Sequence, residues 1–215
     1  MNPHVNRIAF VDIETTDIKY FKLLNPARED LTPWAEICEI GIVVATPDLQ
    51  IIEEFEAKTT LRFPARLDPR AQAVNGYDEK DWEHSRDIAD ALQAYGRLME
   101  SAGGCLFASQ NPTFDRTILE IACIQHMVKV KIDYHSLDVW THSFATLSAK
   151  GYKLENYGLN SVAKFLGMNE EPLPHRGLTG ARYAWEVTKR VRELPMKAAG
   201  IVGSPIGCLG TPTNE

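Results

Sequence analysis

The segment Arg7–Thr15, RIAFVDIET, constrains the fold more than any other stretch of the chain. Ile8, Ala9, Phe10, Val11 and Ile13 are apolar at successive and alternate positions, so both faces of an extended segment are apolar. Such a run suits a central strand covered on both sides. Asp12 and Glu14 interrupt it on one face only, because side chains alternate with a period of two, and their Cα atoms then lie about 7 Å apart. Two like charges on a buried strand cost free energy unless a cation stands between them. A hard cation with oxygen ligands, Mg²⁺ or Mn²⁺, is the natural partner. The plainer alternative is a strand that ends at the surface and carries its acids there, and this segment alone leaves the two readings balanced.

Two further strands are expected in EICEIGIVVATPD and QIIEEFEAKTT, joined by a tight turn at Pro47-Asp48. Between them and the first strand, the polar segment with Pro26 and Pro33 reads as an inserted loop. RDIADALQAYGRLMES has apolar Ile88, Ala91, Leu92, Tyr95, Leu98 and Met99 at helical spacing. A short strand CLFASQN, a helix from Phe114 and a strand in VKIDYHSLDV follow. Helices are then expected around VWTHSFATLS, GLNSVAKFLG and TGARYAWEVTKRVREL. Strands followed by alternating strands and helices predict an α/β layout. The division expected is a domain over 1–194 and a flexible Gly-, Pro- and Ala-rich tail over 195–215.

The 215 residues suit one domain of this kind, and no apolar run reaches membrane-spanning length. Cys38, Cys105, Cys123 and Cys208 are scattered without a CxxC pair, which favours reduced thiols in a cytoplasmic protein over a zinc site. A net charge of −6 excludes a general polycation but leaves a nucleic-acid partner open, since catalytic acids lower the total while a local basic rim binds.

Taken singly, the remaining polar residues have bland readings. Asp115 would complement a helix dipole in the first turn, Thr113 would cap that helix, and Asn111 before Pro112 would be a turn residue. His175 would be an ordinary loop histidine. The combination differs. FVDIETT, then NPTFD about a hundred residues on, then HRGLTGA near the end resembles the DEDDh exonuclease family, which includes the proofreading subunits of replicative polymerases, RNase T and oligoribonuclease. AVNGY and LNSVAKFLGM also resemble that family's connecting segments, and the likeness spans roughly Arg7 to Leu194.

The resemblance implies an RNase H-like fold with a central mixed β-sheet flanked by helices. It makes Asp12, Glu14 and Asp115 acids of a two-metal Mg²⁺ or Mn²⁺ site and His175 the general base, a task that suits an imidazole. It places Thr15 and Thr16 at the terminal nucleotide, with Asn111 and Phe114 nearby, where aromatic stacking adds to binding. The family's fourth acid falls at position 180, which is glycine here. Thr179 is neutral, Glu186 faces elsewhere, about 240° round the helix, and Glu170 and Glu171 remain open as substitutes. Restoring an aspartate at 180 is expected to strengthen metal binding.

Two functions follow. One is 3′–5′ exonuclease activity on single-stranded DNA or RNA ends, releasing nucleoside 5′-monophosphates and weakened by Gly180. The other is an exonuclease-like module that holds a 3′ end, or a polymerase or other replication or repair protein, without cutting. No membrane association is expected in either case.

Overall fold

The computed structural model describes residues 6–17, 35–101 and 104–197. Strand β1 (Ile8–Thr15) lies at the centre of a five-stranded mixed sheet of order β3-β2-β1-β4-β5. Its antiparallel neighbour β2 (Ile37–Ala45) is buried along its whole length and turns tightly, at Thr46–Gln50, into β3 (Ile51–Lys58). The exposed edge strand β3 carries Glu53, Glu54, Glu56 and Lys58, charges that discourage pairing with another sheet edge. On the other side β4 (Leu106–Ser109) and β5 (Ser136–Asp138) run parallel to β1.

Helices cover both faces. On one, Ala9, Val11 and Ile13 of β1 pack with Leu92, Tyr95 and Met99 of α2 (Ile88–Glu100) and with Ile118 and Leu119 of α3 (Pro112–Gln125). On the other, Ile8 and Phe10 pack with Leu147 of α4 (Val139–Ala149), Val162 of α5 (Leu159–Phe165) and Ala181, Ala184 and Val187 of α6 (Gly177–Glu193). The two faces of the first strand are therefore both core, as its sequence implies, and the face carrying Ile8 and Phe10 continues into Asp12 and Glu14.

Helix α6 approaches the sheet unusually closely. A Cβ on Gly41 of β2 would overlap the Gly177 carbonyl carbon, and a Cβ on Gly177 would stand 2.7 Å from Gly41 N and 3.1 Å from Asp12 O. Two glycines thus let the first turn of α6 rest on the backbones of β1 and β2. The fully buried Glu39 fixes it there by accepting the Gly177 N–H at 3.0 Å, one of the donors that a helix start leaves without an internal partner.

Three details differ from the sequence reading. The strand expected in VKIDYHSLDV joins the ladder only at Ser136–Asp138. Val128, Val130 and Ile132 still alternate against the core, but the four-residue β4 is too short to pair with them. Helices α3 and α6 begin at Pro112 and Gly177, slightly earlier than expected, which puts Gly180 inside the first turn. Asn111 rather than Thr113 stands at the cap of α3, without a capping side-chain bond. The loop read around Pro26 and Pro33 and most of the expected tail, 198–215, lie outside the described residues. The chain remains bonded as far as Lys197, whose N–H donates to Lys150 O. Cys38, Cys105 and Cys123 are buried free thiols. Among the described residues no helix is long and apolar enough to cross a membrane.

Candidate active site

The carboxylates of the first strand sit where the two layers meet at its C-terminal end. Asp12 and Glu14 point toward α6 because they continue the Ile8–Phe10 face. Asp115 comes from the opposite layer, in the first turn of α3, and is buried. Its Oδ1 accepts the N–H of Ile13, the residue between the two strand acids, at 3.3 Å. The three acids separated by about a hundred residues in sequence are thus brought together by the β1–β4 pairing and the β4–α3 turn.

His175 arrives on the segment before α6. Its N–H donates to Val74 O at 2.8 Å, at the end of α1 (Pro69–Asn75). Next to it, Arg176 Nη1 donates to Asn75 O at 2.9 Å and lies 3.7 Å from Glu39 Oε2. Asn75 Nδ2 in turn donates to Thr15 O at 3.0 Å, so α1, β1 and the histidine segment form one bonded frame. Gly76, at φ +60°, ends α1 in a left-handed turn against Pro174.

A cavity of about 320 Å³ opens over this frame, lined among others by Asp12, Glu14, Thr15, Phe114, His175 and Gly180. That size lies within the usual range for small-ligand sites. Asp115, Thr16 and Asn111 do not line it. Thr16 is buried, its Oγ1 accepting the Glu36 N–H at 2.9 Å, and Asn111 is exposed at the start of α3. Residues that the motifs do not single out complete the wall, including Arg70, Asn75, Leu159 and Glu171. Of these, Glu171 is one of the two acids that the sequence leaves open as substitutes for the one missing at 180.

Electrostatics set this cavity apart from an ordinary surface. Burial raises Asp12 well above the usual carboxylate range, and the charges of Asp115, Glu14, Glu171 and Glu39 add to it. Burial, with Glu39, Glu171 and Asp115, pushes Glu14 up to about 8 against the opposing Arg176. Asp115 is pushed up to about 7 by burial, despite the bond from Ile13 N–H. Burial likewise raises Glu171, opposed by His175. Carboxylates held this way ionise readily only when positive charge is supplied. Among the described residues no three such groups stand at ready-made ligand spacing. The donors are nevertheless carboxylate oxygens, those of Asp12, Glu14 and Glu171 on the cavity wall and those of Asp115 beside β1, which fits a hard divalent cation. Asp12, Glu14 and Asp115 would hold it.

The fold has close counterparts among solved structures. The nuclease domain of 3′hExo, described as a DEDDh family member bound to rAMP, superposes with a TM-score of 0.64 at 16% identity, over 90% of this chain and 94% of that one. The zinc-bound E. coli exonuclease I–ssDNA complex gives 0.70 at 11% identity, over 87% of this chain and 41% of that one. Cell-death related nuclease 4 gives 0.67 at 10% identity, over 87% of this chain and 64% of that one. The fold is that of the DEDDh 3′–5′ exonucleases. The mixed sheet and its flanking helices are RNase H-like, as the motif resemblance implies. The chain spans less than two thirds of the length of the full-length 3′-exonuclease and less than half that of exonuclease I. No protein-family model and no curated protein matches the sequence.

Proposed function

We propose that this chain is a divalent-metal-dependent 3′–5′ exonuclease that removes nucleoside 5′-monophosphates from single-stranded DNA or RNA ends. The observation that carries this reading is that Asp12, Glu14 and His175 line one cavity, while Asp115, from a third part of the chain, accepts the Ile13 N–H between the two strand acids. That solved structures of this fold hold rAMP and ssDNA supports the choice of ligand.

Each residue has a task in that reaction. Thr15 and Phe114 border the cavity and would receive the terminal nucleotide, the aromatic ring offering a stacking face. Asp12, Glu14 and Asp115 collect negative charge where a divalent pair, when bound, would activate water and stabilise charge on the phosphate and leaving oxygen. His175 Nε2 faces the acidic wall and would take the proton of the attacking water. The bonds from His175 N–H to Val74 and from Arg176 to Asn75 hold the imidazole segment in place.

The test is release of mononucleotides from a short 5′-labelled single strand with Mn²⁺ or Mg²⁺, for the wild type and for Asp12→Asn and His175→Ala. Wild-type release from the 3′ end, lost by a factor of 100 or more in both variants, is expected, since general acid–base groups alone contribute about 10²–10⁴. Tight binding of single strands without cleavage would instead support a cytoplasmic module that holds 3′ ends or a polymerase, the reading that the glycine at 180 favours.

A further inference from the structure

We infer that Glu171, carried by the segment before α6, is a metal ligand that takes the place of the acid missing at position 180. The inference rests on the two-metal reading above and concerns which residue completes that site. Glu171 lines the same cavity as Asp12, Glu14 and His175. Its side chain is only 9% exposed, whereas the neighbouring Glu170 is exposed. No described side chain forms a hydrogen bond with its carboxylate at normal length. His175 Nε2 stands 4.0 Å from its Oε2.

Gly180 shows where this carboxylate stands. A Cβ at position 180 would overlap Asp12 Oδ2, lie 2.7 Å from Asp12 Cγ and stand 3.1 Å from Glu171 Oε1. The volume that a side chain on α6 would enter is therefore already flanked by two carboxylates, one from β1 and one from the preceding segment. The absence of a side chain at 180 is what admits both. Glu171 Oε1 and Asp12 Oδ2 thus flank the same point, while Glu171 Oε2 lies 4.0 Å from His175 Nε2. A buried carboxylate placed among like charges and short of hydrogen bonds calls for a cation. The Glu171 N–H, bonded to Asn160 Oδ1 at 3.3 Å, ties the segment to α5 and keeps the carboxylate in reach.

The experiment measures Mn²⁺ binding by calorimetry and by electron paramagnetic resonance, with and without a nucleoside 5′-monophosphate. It compares the full chain with Glu171→Gln, Glu171→Asp, Glu170→Gln and Asp12→Asn. Thermal melting of each protein in EDTA accompanies the titrations. Glu171→Gln should bind Mn²⁺ at least tenfold more weakly than wild type, since even the groups that support ligands are worth about 10–100-fold in affinity. Glu171→Asp, with the charge drawn back by one methylene, should also be weakened, and Glu170→Gln should bind as wild type does. In EDTA, Glu171→Gln should melt no lower than wild type, because it removes a like charge; a merely structural glutamate would show the reverse. Wild-type affinity in both Glu171 variants, with Asp12→Asn weakened, would overturn the role of Glu171 and leave the exonuclease reading intact. No Mn²⁺ binding by the wild type would overturn both.

Discussion

At position 180 one methyl group decides whether two carboxylates keep their places. A Cβ there overlaps Asp12 Oδ2 and presses on Glu171 Oε1 at 3.1 Å, while the bond from Gly177 N–H to Glu39 Oε1 holds the start of the helix against the sheet. The cost falls on the end of the Asp12 side chain, which must rotate away from its neighbours. Gly180→Ala should therefore lower Mn²⁺ affinity several-fold without unfolding the protein, as calorimetry and melting in EDTA would show; unchanged affinity would mean that Asp12 turns freely. The same geometry revises the expectation that an aspartate at 180 strengthens metal binding. Its carboxylate enters space that Asp12 and Glu171 already share, so Gly180→Asp should give no gain in Mn²⁺ affinity over wild type. A marked gain would show that the position is an empty ligand site after all.

At the scale of elements, the site depends on how α6 is seated. Gly41 and Gly177 meet backbone to backbone, and overlap of a new methyl with a main-chain carbonyl has no flexible atom to absorb it. Gly41→Ala should destabilise the fold by about 3 kcal/mol or more, the upper end for overpacking, and lower nuclease activity with it. Chemical denaturation checks this, and a loss below about 1 kcal/mol, within the range of tolerated core changes, would contradict the seating described. This contact also marks the limit of what the sequence discloses. The nature of β1 and its two acids is legible because alternation within nine residues is local, and the helical stripe of α2 is legible for the same reason. The pairing of Gly41 with Gly177, 136 residues apart in the chain, is set by how α6 crosses the sheet, and neither glycine looks special alone. Glu171 is similar: the sequence leaves it open beside Glu170, but its position near Gly180 depends on the path of the segment from α5. The segment from Val128 to Ile132 misleads in the other direction, because alternation against a core looks like a strand whether or not a neighbour is long enough to pair with it.

For the molecule as a whole, collecting acids at the end of β1 makes stability depend on pH and on metal together. Asp12, Glu14, Asp115, Glu39 and Glu171 are all raised in the folded protein, Glu14 to about 8 and Asp115 and Glu39 to about 7. In the unfolded chain the same groups titrate near 4. Between these limits the folded state binds more protons than the unfolded state, so each group's stabilising contribution is fully present below about pH 4 and is lost as pH rises through its folded value. Without metal, the melting temperature should fall between pH 5.5 and pH 8, by about 2–4 °C for each kcal/mol lost in a chain of this size. Divalent ions reverse the trend, since they bind the ionised carboxylates of the folded state alone and ligands must lose their protons first. Added Mn²⁺ should therefore raise the melting temperature more at pH 8 than at pH 5.5 and cancel much of the alkaline loss. Scanning calorimetry in EDTA and in Mn²⁺ at both pH values measures all four states. A melting temperature that is flat or rises with pH in EDTA would mean that the carboxylates at the end of β1 are already ionised without a cation, and that the site does not need one to hold its charges together.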